Sequence, residues 1–476
     1  MKTIQRIAKN TAILTAAEIV NKALSLFLYI AIANYLRAAG YGRFSFIIAL
    51  LALFQVLANF GLNKLIIRDV AKNKEITRAY VSFMMKLKAF FSLSAYLIFI
   101  LSVCLMKKPP EVIFGAYLIG LSMIFISLSN VYLSVFNAHE KLEINAISLI
   151  LVKIVIVGLV ILFISLKGSL LLILGAFVAG EALRLLVLWL VYDKSFKCKL
   201  SEEVVKLSVK RIVKTAFPFV LAGVASLIYM HVDKIMISVI KGDKAVGWYS
   251  AAYTLIVGLM FIPRCYTLSV FPAISRYAKS SKRLLSISWQ RSVKYLLIIS
   301  LPIAAGVFIL AERFINILYH SGYENSTVAL KILILAIPWI FVNSINIYLL
   351  YAANFQKRAM FIILASALLN IVLNFIFIPR FSYIGAAWAT VLAEVANSLM
   401  LFIFIYTGMN LRIEIQNTLI KPLVAAFFMG TLIYYFRSGN LIIIIVTASI
   451  LYAGALTLLR TFDREDRDIV KKIITA

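Results

Sequence analysis

Charged side chains stand in stretches of this sequence that are otherwise almost wholly apolar, and their spacing suggests what they could bind. In TAILTAAEIVNKALSLFLYI, Glu18 and Lys22 are four residues apart, on one helical face and in the order that favours pairing. Two roles are open. They form an ion pair between helices, or Lys22 meets an anion such as phosphate while Glu18 holds it. Lys153, in ILVKIVIVG, has no opposite charge within a turn, so it either snorkels to a membrane surface or meets an anionic ligand. Glu181 and Arg184 form a second local pair, at i and i+3. Glu394 and Asn397 stand at the same spacing further on. A glutamate so placed either takes up a proton or a sodium ion, or clamps two helices by hydrogen bonds.

Asp233 and Lys234 are adjacent and therefore on different faces, with His231 nearby. Asp233 is a candidate for gating or cation coupling, and a fixed ion pair is the rival reading. Arg264 follows Pro263 in FIPRCYTL. Its planar fork suits a diphosphate, and the proline permits a bend. Arg68, Lys86 and Lys88 either greet an anion or anchor the chain at a membrane surface. Asn343 with Asn346, and Asn370 with Asn374, make two polar stripes that suit sugar hydroxyls or interhelical bonding.

The surrounding sequence sets the elements that must position these groups. Of 476 residues, 63% are hydrophobic and only 14% charged, with a mean hydropathy of +0.97. A soluble core cannot hide that much apolar surface, whereas a bilayer can. The runs are long and continuous rather than alternating, so helices are expected instead of a barrel. The fold class is an all-α polytopic membrane protein with about 14 crossings. Formal net charge is +29. The basic residues lie between apolar runs without interleaved aromatics, which points to topology and anionic headgroups and not to nucleic acid. Cys104, Cys198 and Cys265 form no pairing or metal-ligand pattern, so no metal and no cofactor is expected. There is no phosphate loop, dinucleotide fingerprint or nucleophile-base spacing, so no enzyme is expected. The basic start, with Lys2, Arg6 and Lys9, runs into a full-length apolar segment, and that first helix is expected to be retained.

Lysine and arginine are unevenly shared between the loops. One set carries Arg68, Lys72, Lys74 and Arg78, then Lys194 to Arg211, then Arg276 to Arg283, then Lys357 and Arg358. The other carries scattered single or paired cations such as Lys167 and Arg313. The rich set shares a side with both termini, which are therefore expected in the cytoplasm. A repeat is also visible. At an offset of 205, Gly42 matches Gly247, and at 213, Glu181 matches Glu394. Six crossings separate each pair, so the halves share an orientation, as in a parallel repeat with a cavity suited to alternating access. The expected organisation is an N-lobe at 1–192, a basic cytoplasmic linker at 193–213, a C-lobe at 214–407, and two added helices with a cytoplasmic tail at 408–476.

Three stretches carry a resemblance. IAKNTAILTAAEIVNKALSLFLYIAIANYL, followed by GYGRFSF and FGLNKLIIRDVAKNK, resembles the opening of the oligosaccharide and polysaccharide flippases. HVDKIMISVIKGDKAVGWYSAAYTL resembles the start of that family's second half, where Asp233 is singled out. NIVLNFIFIPRFSYIGAAWATVLAEV resembles its span eleven-to-twelve signature. These flippases belong to the multidrug/oligosaccharidyl-lipid/polysaccharide exporter superfamily. The resemblance implies two six-helix lobes around a V-shaped cavity. It also implies a substrate of polyprenyl- or dolichyl-diphosphate-linked oligosaccharide, moved from the cytoplasmic to the outer leaflet of the cell membrane; a monomer is expected. A proton or sodium ion is the candidate coupling partner. An ion-coupled multidrug exporter and a lipid II-type flippase of the same superfamily remain alternatives.

Overall fold

The structure is a computed structural model that describes residues 3–196 and 209–462. Most of the linker expected at 193–213 and the end of the tail lie outside these residues, as does Cys198.

Helices carry the chain almost throughout: α1 (Thr3–Asn59), α2 (Leu62–Lys72), α3 (Thr77–Leu105), α4 (Pro110–Ala138), α5 (Leu142–Ser165), α6 (Leu170–Phe196), α7 (Val209–Ile240), α8 (Asp243–Leu259), α9 (Phe261–Ser280), α10 (Lys282–Leu318), α11 (Ser326–Leu333), α12 (Ile337–Ala352), α13 (Gln356–Met409), α14 (Lys421–Tyr435) and α15 (Leu441–Leu458). Among the described residues, twelve helical stretches are long and apolar enough to cross a membrane. Two of them are far longer than one crossing needs, at 58 and 54 residues, against the roughly 20 that span the hydrocarbon. Each is broken by a residue whose backbone leaves the helix: Arg37 at φ 59° and Ser382 at φ 55°. Pro379, just before the second break, withdraws a donor from the helical ladder. Large apolar side chains such as Leu97, Leu101, Ile147, Phe375 and Ile442 are exposed on the helices, as hydrocarbon requires and water would not tolerate.

The chain forms two compact units, Met1–Ser250 and Ala251–Ala476. In the first, Leu62, Leu65 and Ile66 of α2 pack with Tyr80 and Met84 of α3 and with Val131, Val135 and Phe136 of α4. In the second, α14 and α15 pack on α10 through Leu310, Met429, Ile433, Ile444 and Tyr452, and Tyr452 donates to the Ile298 carbonyl at 2.9 Å.

Gly42 and Gly247 meet at one crossing in the first unit. A Cβ on Gly42 would fall 1.7 Å from the carbonyl oxygen of Asp243, and one on Gly247 would fall 1.8 Å from that of Ala38. Ala38 precedes Gly42 by four residues, as Asp243 precedes Gly247. The contact is therefore reciprocal: each glycine receives the backbone of the other's preceding turn. Residues that correspond at the offset of 205 thus lie face to face.

Candidate functional site

Within the first unit, three helices bring together charges that the sequence keeps far apart. Gly180 of α6 is buried, and a Cβ there would lie 2.4 Å from Ile156 Cγ1 of α5. The missing side chain lets α5 and α6 approach closely. Lys153, one turn before Ile156, comes within electrostatic reach of Glu181 on α6 and of Lys22 on α1. Arg184 Nη1 lies 3.5 Å from Glu181 Oε2, and both side chains are mostly buried. Arg184 Nε is also buried, and no acceptor reaches it among the described residues. The group therefore combines Lys22, Lys153 and Arg184 with Glu181, and Glu18 stands one turn before Lys22 on α1. Lys22 is exposed and Glu18 partly so. Three cations on apolar helices still outnumber the two carboxylates, Glu181 and Glu18, and an anion would offset the difference.

The other candidates in this unit are placed differently. Arg68 is half exposed and grips Asp69 with two bonds, at 2.7 and 3.3 Å. Asp69 also accepts from Tyr80 Oη at 2.8 Å. Lys88 is fully buried. Its ammonium donates to Asn63 Oδ1, to Asn59 Oδ1 at 3.4 Å and to the Ser127 carbonyl at 3.1 Å. Three acceptors for three N–H bonds make a closed cage and leave no donor to greet a ligand. Asp233 is buried and accepts from Tyr249 Oη at 2.6 Å.

Sequence reasoning missed an ionic cluster beside the glycine crossing. Arg43 pairs with Glu111, and its Nε lies 3.5 Å from Asp243 Oδ2. Lys108 Nζ lies 3.5 Å from Asp243 Oδ1 and donates to Ser238 Oγ and the Ser238 carbonyl, both at 2.7 Å. Four helices, α1, α4, α7 and α8, are tied at this one end. The available signal was Asp243 itself, an acid in the GDKAVG stretch that corresponds to the AAGYG turn.

In the second unit, Arg264 is exposed on the first turn of α9, after a break at Met260 that precedes Pro263. The amide stripes are buried and bonded to protein. Asn346 accepts from Trp289 Nε1 at 2.8 Å. Asn374 donates to Asn370 Oδ1 at 3.1 Å. Asn343 donates to Glu394 Oε2 at 2.8 Å. A cavity of about 650 Å³ opens among α10, α12 and α14. Leu301, Phe308, Ile309, Leu423 and Phe427 line it, and its wall is almost entirely apolar.

A polytopic helical membrane protein with a charged interior and a greasy side cavity has the build of a membrane transporter. Residues 7–278, more than half of the chain, match the family of polysaccharide biosynthesis proteins, and residues 218–376 match the MatE family. The chain belongs to the polysaccharide biosynthesis protein family, within the multidrug/oligosaccharidyl-lipid/polysaccharide exporter superfamily. It is similar to the probable low-salt glycan biosynthesis flippase Agl15 of Haloferax volcanii, at 23% identity over 38% of this chain and 39% of that one. It is also similar to the putative O-antigen transporter of Escherichia coli, at 24% identity over 56% of this chain and 64% of that one. The chain thus spans less than two thirds of the length of these curated relatives. Among solved structures, the lipid II flippase MurJ in an inward closed conformation shares its fold, with a TM-score of 0.79 at 17% identity. That likeness covers 96% of this chain and 99% of the other.

Proposed function

We propose that this protein is a flippase that carries a lipid-diphosphate-linked oligosaccharide from the cytoplasmic to the outer leaflet by alternating access. The observation that carries the reading is the cationic group of Lys22, Lys153 and Arg184 on three apolar helices. A diphosphate is the anion that would offset it, and Arg184 Nε is a donor still to be used. The apolar cavity among α10, α12 and α14 suits the hydrocarbon tail of such a substrate, because its wall offers almost no polar group to a soluble one. Arg264 is proposed as a further diphosphate contact, and Arg68 as a residue met on entry. Asn343, Asn346, Asn370 and Asn374 would serve the sugar only after releasing their present partners. Glu18, Asp233, Glu181, Arg184 and Glu394 are the groups proposed for coupling and gating.

Taking each of the two broken stretches as two crossings turns twelve into fourteen, an even number that sets both termini on one side, and the lysine and arginine bias of the loops supports the cytoplasm as that side. A lipid II-type precursor is the second reading, favoured by the fold shared with MurJ over nearly the whole chain. It uses the same diphosphate chemistry. A cation exporter would need an acidic interior, which the group around Lys153 does not offer.

The test is complementation of a flippase-deficient strain. Lys22→Ala and Arg264→Ala should each lower surface glycan at least tenfold while the protein still inserts at wild-type levels. Normal surface glycan in both variants would remove the phosphate-contact assignment.

A further inference from the structure

A second cavity, of about 440 Å³, opens among helix ends of the second unit. The chain turns beside it at Ser281 between α9 and α10, at Asn354 between α12 and α13, and at Asn410 after α13. Lys279, Ser281, Lys282, Asn354 and Gly408 are among the residues of its wall. Lys279 and Lys282 are exposed and make no hydrogen bond or ion pair among the described residues. Arg276, Arg283, Lys357 and Arg358 stand on the same two connections, and no acid falls among them. Glu414, the first acid after α13, accepts from Asn417 at 3.2 Å.

Cations in such loops ordinarily meet anionic headgroups without a defined seat. Here two of them line a cavity, and the backbone around it is matched to a ligand. Lys282 and Arg283 open α10, so their amides lack an acceptor within the helix, while Leu284 N–H donates to Ser281 Oγ at 3.3 Å. Ammonium groups beside open amides suit a phosphate. The last turns of α12 and α13 also reach the wall, at Ala352 and Met409. Helix ends leave carbonyl oxygens without helical partners, and these accept from hydroxyls. A phosphodiester that carries a polyol answers both sets of groups. Tyr351 and Tyr406, 37% and 55% exposed, stand next to the wall on α12 and α13. Exposed tyrosines on apolar helices mark the depth of lipid headgroups. Leu284, also exposed, begins an apolar surface on α10 where acyl chains would lie.

We infer that this cavity is a binding site for an anionic phospholipid with a hydroxylated headgroup, of the phosphatidylglycerol type, whose phosphate is held by Lys279 and Lys282. The site lies wholly within the second unit and uses none of the residues assigned to the transported substrate. Its occupant is a lipid of the surrounding membrane and not the cargo. Binding can be measured without any lipid-linked sugar, so its failure and the failure of the flippase reading are distinguishable.

The full-length protein, purified in detergent and stripped of lipid, is titrated with dioctanoyl-phosphatidylglycerol, dioctanoyl-phosphatidylcholine, glycerol phosphate or inorganic phosphate. Native mass spectrometry counts the bound molecules, and the melting temperature is followed in parallel. Wild type should retain phosphatidylglycerol saturably, near one per chain, and melt several degrees higher as it does so. Phosphatidylcholine and the two soluble phosphates should bind at least tenfold more weakly. Lys279→Gln combined with Lys282→Gln should weaken phosphatidylglycerol at least tenfold. Arg276→Gln combined with Arg283→Gln removes the same charge from the same connection but not from the wall, and should leave binding close to wild type. An equal loss in both double variants would reduce the site to a diffuse basic surface and overturn the assignment. Binding unchanged in the lysine pair would overturn it too. Equal binding of phosphatidylcholine by wild type, or of either soluble phosphate, would do so without recourse to any variant.

Discussion

Alanine at Gly42 or at Gly247 is expected to abolish glycan export and to lower the melting temperature of the protein. The reason is geometric. The new methyl carbon would sit 1.7 or 1.8 Å from a backbone carbonyl oxygen, where no rotamer change can relieve the clash. Helix α1, in its part after Arg37, and helix α8 would have to part by more than an ångström. Overpacking a core typically costs about 1–3 kcal/mol, and a clash with backbone belongs at the upper end or beyond. Separation would also pull Asp243 from Arg43 and Lys108, so an ionic cluster on four helices would loosen with it. Surface glycan in a flippase-deficient strain and melting of the purified protein check the two effects. Gly158→Ala is the matched control, since nothing lies within 4 Å of the Cβ it would add. It should leave export and melting unchanged or slightly improve stability, because alanine favours the helix. Wild-type behaviour of both Gly42→Ala and Gly247→Ala would contradict the crossing described above.

The second large effect is expected at Lys153. Lys153→Glu would set a carboxylate within reach of Glu181 and remove the net positive charge of the group formed with Lys22 and Arg184. Like charges inside apolar helices repel without water to screen them, and an anionic substrate would lose the net attraction of the site. Export should fall at least a hundredfold. Lys153→Arg keeps the charge and should retain most of the activity. If Lys153→Glu inserts and supports normal surface glycan, the group is not a substrate site.

What could be read from the sequence, and what could not, divides along the distance between partners. Helical crossings are written in local composition, and the Glu181–Arg184 pair in local spacing, so both were legible. Gly42 and Gly247 were legible as a matched pair because glycine is uncommon within such helices, although matching alone did not reveal that they touch. The cluster of Arg43, Lys108, Glu111 and Asp243 was not legible. Arg43, Glu111 and Asp243 lie on separate helices and Lys108 in the turn before α4, and they come together only through a glycine crossing whose closeness has no sequence signature. Lys88 reads in sequence as a surface anchor or an anion contact. Its enclosure depends on Asn59 and Asn63, which flank the turn at Phe60 and Gly61, where φ is 45° and 64°. That turn aims two amide oxygens at one ammonium. For Glu394, the sequence shows a polar face with Asn397. Only the packing of α12 shows that Asn343 spends its donor there and strands its own oxygen.

The central claim is that cations inside apolar helices carry a diphosphate-linked glycolipid. The most direct measurement reconstitutes the purified protein in liposomes with a fluorescent polyprenyl-diphosphate oligosaccharide in both leaflets. A membrane-impermeant quencher outside then reports how fast the inner pool becomes accessible. Wild type is predicted to expose the inner pool within minutes, and Lys153→Glu to leave it protected as in empty liposomes. Protection by wild type itself, in vesicles where the same protein does move an organic cation such as ethidium, would contradict the account.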